Sequence, residues 1–291
     1  MFETPFSKLT VVLSIFLSLI VVTFIFISDS NNSKTTLVFC DVGQGDGAYI
    51  RVKNQTDILV DAGPNRKILD CLGKYMPFYD RSIELAIISH GQKDHFGGFL
   101  YILDRYDVKK FWMSEAYNPS ESFKELLDKI DTKDILIEFP KAGETSTFSD
   151  AKIEFFWPSD DFILKNTFEK NTTHSLFRRT FRNLNDFSLI FKFELETENI
   201  LFTGDASPNA LNNLLQPPNI RTNILKIPHH GSKNGLNPEF LKLADPTYGV
   251  ISAGKNNSYG HPHKIILDIL KAQKVKIKRT DLDGDIVFTF D

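Results

Sequence analysis

The chain of 291 residues is long enough for one large domain or two small ones, and 42% hydrophobic with 24% charged residues marks a globular protein with a sizeable core. A formal net charge of -3 excludes a globally basic surface that coats nucleic acid, so polyanion binding has to come from a local patch or from a metal. Two cysteines, Cys40 and Cys71, are too few for a disulfide framework, and Cys40, in the apolar run Leu37-Val38-Phe39-Cys40, is expected as a small buried residue.

Residues 9–27 are almost wholly apolar and uncharged. Their number is near the ~20 that a helix needs to span a bilayer, and Ile25-Phe26-Ile27-Ser28 offers no small-residue cleavage pattern. The expectation is an uncleaved, single-pass signal anchor after a short tail, 1–8. The small positive bias before the span places the amino terminus inside and the folded domain outside the cytoplasm. A polar linker, 28–34, leads into a domain over 35–291.

Within that domain, Val, Ile, Phe and Tyr mark strands at 36–41, 48–52, 57–61 and 84–89. Ile68, Leu69, Leu72 and Tyr75 have helical spacing within 65–75. A helix over 99–106, a strand over 108–113, a helix over 120–130 and a strand over 135–139 follow. The stretch 141–149 is polar and turn-rich. After a strand over 152–157, the mixed segment 159–185 reads as a long loop, which is usually functional or mobile. Strands at 187–194, 199–203, 223–227, 248–252, 275–279 and 285–290 alternate with helices at 208–215, 238–244 and 262–272. Ser207 and Pro208 suit a helix start.

Reactive residues recur where strands end: Asp41, Asp61, His90, Asp205 and His229. Loops at strand ends share one edge of a rigid sheet, which is where layered α/β proteins gather their sites. His90, Asp94 and His95 crowd a short loop, and imidazole and carboxylate are ordinary ligands of a borderline divalent cation. A polar helix cap is the plain alternative. Thr203-Gly204-Asp205 can place a carboxylate between two ions or simply cap a turn. In Pro228-His229-His230-Gly231 two adjacent imidazoles point different ways, so only one ligates a given ion. Gly260-His261-Pro262-His263 also suits the start of a helix.

In this order the segments resemble the metallo-β-lactamase superfamily, and most closely the hydrolase domain at the carboxyl end of ComEC-type competence (DNA-uptake) proteins. The resemblance rests on Asp41-Val42-Gly43-Gln44-Gly45-Asp46-Gly47, Leu59-Val60-Asp61-Ala62-Gly63, the Ser89-to-Gly98 loop, Asn185 with Ser188, Phe202-Thr203-Gly204-Asp205, Pro228-His229-His230-Gly231-Ser232, Tyr259-Gly260-His261-Pro262-His263 and Arg279-Thr280-Asp281 with Asp283-Gly284. It covers about residues 35–291. It implies an α/β fold, a four-layer αββα sandwich preceded here by the transmembrane helix, and one or two divalent ions, Zn or Mn.

Carried over residue by residue, Asp94, His95, Asp205 and His230 would form the better-preserved metal site, with Asp94 and Asp205 also catalytic. His90 would serve a second site with Asp205 bridging. Asp61 would orient a ligating histidine, and His229 would contact phosphate. Asp41, Gln44, Asp46, Gln92, Asn185, Ser188, His261 and His263 would support the site or the substrate. The chain departs from the family at Gln92, where competence proteins usually carry Asp; a neutral amide is a poor metal ligand. A further superfamily histidine has no counterpart except His174. One firm and one weak metal site is therefore the expectation.

The resemblance implies phosphodiester hydrolysis of nucleic acid, single-stranded DNA in particular. Arg178, Arg179 and Arg182, with Lys226 and Lys233 flanking the histidine pair, offer local positive charge. Two rival readings are a same-fold hydrolase of a phosphocholine, nucleotide or lipid-derived ester, and a binding module for nucleic acid or a protein partner with a decayed metal site.

Overall fold

In the run Leu85-Ala86-Ile87-Ile88 every residue is buried. A strand apolar on both faces belongs inside a layered structure, and here it occupies the middle of a sheet. The computed structural model describes residues 8–30, 34–148, 150–168, 176–180, 182–215 and 219–290. Two seven-stranded sheets form its centre. The first runs Ile286–Phe290, Thr35–Phe39, Gly47–Val52, Thr56–Ala62, Leu85–Ile88, Lys110–Met113, Leu136–Glu138. The second runs Lys276–Arg279, Tyr248–Ile251, Ile224–Lys226, Asn199–Phe202, Ile190–Glu194, Ala151–Trp157, Thr145–Phe148.

Strand alternation assigns each side chain to a layer. Leu37, Phe39, Ile58, Val60, Leu85 and Ile87 face a core shared with Phe155, Phe191, Phe193 and Phe202 of the second sheet. Phe39 and Phe202 meet at 6.0 Å between ring centroids, and Trp112 and Phe155 at 5.5 Å. Each fully buried ring contributes about 1.5–3 kcal/mol, so the phenylalanines act chiefly as inter-sheet filling. The alternate residues Val38, Leu59, Ala86 and Ile88 pack under helices Ile68–Tyr75 and Glu121–Thr132. Leu201, Leu225, Ile227 and Ile251 do the same under Pro238–Ala244 and Lys264–Ala272. The result is the expected αββα order.

Topology positions the site. Thr56–Ala62, Leu85–Ile88 and Lys110–Met113 are parallel neighbours in one sheet. Asn199–Phe202, Ile224–Lys226, Tyr248–Ile251 and Lys276–Arg279 are parallel in the other. The loops at their carboxyl ends meet along one edge. Leu189 N–H donates to the Ser89 carbonyl at 2.8 Å, and His229 N–H to the Gly204 carbonyl at 3.1 Å.

Four expectations need comment: three are corrected, and Cys40, buried as expected, gains a partner. The polar stretch 141–149 contains the strand Thr145–Phe148, paired with Ala151–Trp157. As an edge strand its residues are exposed or half-buried, so it lacks the apolar signal of the inner strands. The segment 159–185 is not simply a long loop: it holds the helix Asp160–Asn166, capped by Ser159 Oγ accepting from Phe162 N–H at 3.2 Å, and a small pairing of Thr167–Phe168 with Arg179–Thr180. Cys40 and Cys71 form a disulfide across 31 positions, joining the end of Thr35–Phe39 to helix Ile68–Tyr75. Closing a loop of that size stabilises by about 3–4 kcal/mol in the chain-entropy account.

The fourth concerns residues 9–27. They lie in a helix, Lys8–Ser30, that also takes in part of the expected 28–34 linker. Among the described residues, however, no helix is long and apolar enough to cross a membrane, so the expected spanning helix is not supported. Ser14 and Thr23 interrupt its apolar surface, their hydroxyls bonded back to the carbonyls of Val11 and Leu19 at 2.8 Å each.

Candidate metal centre

Four side chains from three loops converge at the sheet edge: Asp94, His95, Asp205 and His230 each offer a ligand atom, and these atoms lie within 4.8 Å of one another. Asp94 and His95 stand on a single helical turn, Lys93–Phe96, directly after the buried strand Leu85–Ile88 and its Ser89-to-Gln92 connection. Gly204, at φ +48, turns the chain after Asn199–Phe202 so that Asp205 faces inward; a Cβ there would meet Ser89 Oγ at 2.7 Å. The loop carrying Asp46 closes the other side. Its Gly45 adopts φ +142, and a Cβ would lie 2.2 Å from the Asp94 carbonyl oxygen, so only glycine permits the Asp46 N–H to reach that carbonyl at 3.1 Å.

His229 and His230 occupy left-handed backbone, φ 50° and 53°, and Asp61 does too at 55°. Such conformations cost a non-glycine residue of order 1–3 kcal/mol and persist only where surroundings enforce them. Here the strain separates two adjacent imidazoles. His230 turns inward and is 2% exposed, while His229 stays at the rim with its side chain 31% exposed.

Each buried imidazole is held by Nδ1, leaving Nε2 for the centre. His95 Nδ1 lies 2.8 Å from Asp61 Oδ2, and its Nε2 is 3.2 Å from Asp205 Oδ1. Asp61 is itself fixed by the Ser89 N–H and Oγ, both at 2.8 Å. His230 Nδ1 lies 3.0 Å from the Ser252 carbonyl and 3.1 Å from Asp46 Oδ1, and its Nε2 is 3.3 Å from Asp94 and 3.5 Å from Asp205. Holding one ring nitrogen in this way fixes tautomer and orientation for the other.

The electrostatics call for a cation. Among the described residues, Asp46, Asp61, Asp94 and Asp205 converge with one ammonium beside them, Lys226, whose Nζ lies 2.6 Å from Asp46 Oδ2. Without a metal, protons fill the role. Burial opposes charge on His95, yet Asp205 and Asp61 raise its pKa well above the ordinary imidazole range; Asp205 and Asp46 do the same to His230. Burial likewise opposes ionisation of Asp205, but His230 and His95 hold it well below the carboxylate range. Asp94, against its own burial, is held at about 2 by His230 and His95.

The donor set fits a divalent ion. Two imidazole nitrogens and two carboxylate oxygens are borderline-metal ligands, and ligands of a four-coordinate ion lie roughly 3.4 Å apart. The observed separations are 3.2, 3.3 and 3.5 Å. Moreover, His95 Nε2 and Asp205 Oδ1 are buried without a hydrogen-bond partner, an unusual state that an ion between them would resolve.

The other expected residues divide clearly. His90 is buried, and burial together with its neighbour His95 pushes it down to about 3, so it is neutral; its Nε2 has no partner. It is nevertheless not in the converging group, and among the described residues no such group includes it. Gln92 donates through Nε2 to Asn185 Oδ1 instead of facing an ion. Ser188 Oγ accepts from Asp205 N–H at 3.3 Å and so braces that loop. Asp41 accepts from Gly43 N–H at 3.1 Å, a local turn, and Gln44 Oε1 from Gly254 N–H at 3.1 Å, tying two loops together. His263 caps helix Lys264–Ala272. His261 stands beside the centre, its ring 6.3 Å from that of His230, and burial and His230 push its pKa down. His174 lies outside the described residues.

One expectation about charge is overturned. Lys226 does not face substrate: it is 3% exposed and bound to Asp46 and the Ile227 carbonyl. Arg178 and Arg182 use Nε to hold Thr167 Oγ1 at 2.6 Å and Asn166 Oδ1 at 2.8 Å, while Arg179 and Arg182 stay exposed. The sequence reading missed the buried Lys226–Asp46 pair; a lysine within the apolar run Ile224-Leu225-Lys226-Ile227 was the available signal.

Comparison with known proteins agrees with the geometry. Residues 40–255 match the model of the Metallo-beta-lactamase superfamily. The chain is similar to ComE operon protein 3 of Bacillus subtilis, 25% identical over 284 residues, covering 91% of this chain and 34% of that protein. It is also similar to Competence protein ComA of Neisseria gonorrhoeae, 24% identical over 262 residues, covering 88% of this chain and 32% of that one. The chain thus spans about a third of the length of these relatives. In fold alone it matches the metallo-beta-lactamase fold protein YhfI from Bacillus subtilis, with a TM-score of 0.55 and 12% identity over 88% of this chain and 100% of that one. Fold, metal-ligand geometry and a match across most of the domain lead to one conclusion: the chain belongs to the metallo-beta-lactamase superfamily.

Proposed function

We propose that the protein is a metal-dependent phosphodiesterase that hydrolyses nucleic acid, with single-stranded DNA the favoured substrate. The convergence of Asp94, His95, Asp205 and His230 carries this reading. The similarity to competence proteins supports the choice of substrate. A divalent ion, Zn or Mn, bound there supplies an activated water and polarises a phosphoryl oxygen. Asp61 and the Ser252 carbonyl keep the His95 and His230 rings aimed at the centre. Asp94 and His229, each with a side chain 31% exposed, border the opening, and in this reading His229 contacts the phosphodiester.

The proposal includes a single firmly held ion. The amides of Gln92 and Asn185 satisfy each other where a second ion would require charged or imidazole donors. It also includes attachment of the helix Lys8–Ser30 to a membrane, with the domain outside the cytoplasm. Val12, Leu13, Ile15, Phe16, Leu17 and Leu19 are all more than 60% exposed around this helix, and that much exposed apolar surface calls for a lipid or protein cover. A disulfide suits an oxidising compartment. Membrane fractionation and a carboxyl-terminal topology reporter test that part.

The activity is tested with the full chain in detergent, given Mn²⁺ or Zn²⁺ and either single-stranded DNA or bis-p-nitrophenyl phosphate. Cleavage of both that disappears in Asp94→Ala is the expected result. DNA binding with no cleavage of either substrate would replace the enzyme with a binding module.

A further inference from the structure

Three rings climb from the centre to the surface. His230, the buried innermost ring, is followed by His261 at 6.3 Å between centroids and 30° between planes. Tyr259 lies on His261 at 5.7 Å and 27°. His229 meets His261 edge-on, at 5.8 Å and 79°, which walls one side. Tyr259 is 70% exposed, so the ring that ends the series turns an open face to solvent.

The loop beneath is braced. Asn257 Oδ1 accepts from the His261 N–H at 3.0 Å, and its Nδ2 donates to the His261 carbonyl at 2.6 Å and the Gly254 carbonyl at 2.9 Å. The side chain of Asn257 thus closes the turn that presents Tyr259. With the turn braced, less ordering entropy is left to lose when a flat ligand settles on the exposed ring. Lys93, Lys233 and Lys255 are exposed on the three loops that also carry Asp94, His230 and Tyr259, and their ammonium groups suit a polyanion.

We infer that Tyr259, stacked on His261, is a nucleobase platform that seats one base of the substrate beside the metal centre. The inference deepens the proposed nucleic-acid reading and rests on it for the strand; stacking itself requires only a planar base. Every base has a π-face, so such a platform binds without sequence preference. A small aromatic nucleotide and a strand share this chemistry, and the experiment separates them.

Binding is read by fluorescence anisotropy on the full chain in EDTA, where hydrolysis is off and the outcome is independent of catalysis. The probes are a labelled oligothymidylate, an abasic strand of equal length, and thymidine monophosphate as competitor. The wild type should prefer the base-bearing strand, and Tyr259→Ala should weaken that strand by about tenfold, the lower part of the range for one base–aromatic stack, so that the preference over the abasic strand collapses. Tyr259→Phe should restore it, since the phenyl face suffices. Competition by the mononucleotide at concentrations near those of the strand, lost in Tyr259→Ala, keeps the platform but makes the ligand a nucleotide. Equal affinity of wild type and Tyr259→Ala for the base-bearing strand overturns the inference, whether or not the protein cleaves DNA. Absence of cleavage with a Tyr259-dependent base preference leaves the inference standing and removes the phosphodiesterase reading.

Discussion

The two halves of the centre both draw on the loop from Ser89 to His95 and differ in what stands behind the ligands. His95 has Asp61 behind it, Asp61 has Ser89, and His230 has Ser252 and Asp46. Among the described residues, His90 has for its ring nitrogens only Ser89 Oγ at 3.2 Å, and Gln92, two positions on, is bonded to the amide of Asn185. Both halves contain a buried histidine with a free Nε2. The difference teaches that a ligand atom is necessary and an oriented, charge-matched surrounding makes it a site.

The largest test of this contrast removes the shared carboxylate. Asp205→Asn should abolish bound metal and lower phosphodiester cleavage by roughly a thousandfold or more, because a contribution of several kcal/mol is lost; elemental analysis and initial rates check it. A smaller effect follows from Asp61→Asn, which leaves all four proposed ligands in place. Loss of the carboxylate at His95 Nδ1 should weaken metal binding by about 10–100-fold, measured by competition with a chromogenic chelator. Retention of wild-type affinity would show that orientation at Nδ1 does not matter here.

Gln92→Asp approaches the comparison from the weak side. It supplies a carboxylate next to His90 and should raise the metal content from near one equivalent toward two. Two tightly held equivalents in the wild type would break the contrast outright. The mildest expectation concerns protons. In the metal-free fold the raised pKa values of His95 and His230 stabilise below the ordinary imidazole pKa of about 6.5, and that stabilisation is lost as pH rises through the raised values. Metal-free protein should therefore melt at lower temperature as pH increases from 6 to 9, by a few degrees, while metal-loaded protein gains affinity and releases protons on binding. Scanning calorimetry with and without EDTA, and titration in buffers of different ionisation enthalpy, read both effects.

Much of this was legible in the chain, for physical reasons. Inner strands such as Leu85–Ile88 are buried on both faces and advertise themselves as unbroken apolar runs. The site residues sit at the ends of those runs, so naming the strands nearly named Asp61, His90 and Asp205. Other features depend on partners distant in sequence. Thr145–Phe148 is a strand because Ala151–Trp157 pairs with it, and as an edge it carries no apolar pattern. Asn185 meets Gln92 across 93 positions, and nothing local to either residue announces the contact. Lys226 looked like surface charge because its partner, Asp46, lies 180 positions earlier in the chain. The choice of His230 over His229 as the inward ring depends on left-handed backbone at both residues, which a pair of histidines does not encode by itself.

The disulfide reaches further than stability. Cys40 immediately precedes the loop Asp41-Val42-Gly43-Gln44-Gly45-Asp46-Gly47, and Cys71 sits on a buried face of helix Ile68–Tyr75. The bridge thus clamps the upstream hinge of the segment that brings Asp46 against Lys226 and His230. The same point is also held by Cys40 N–H on the Gly47 carbonyl at 2.9 Å and by Asp41 N–H on Asp285 Oδ1 at 2.9 Å. Covalent and hydrogen-bonded anchors thus share one hinge, so a bond made outside the centre reaches, through one loop, the surroundings of its ligands.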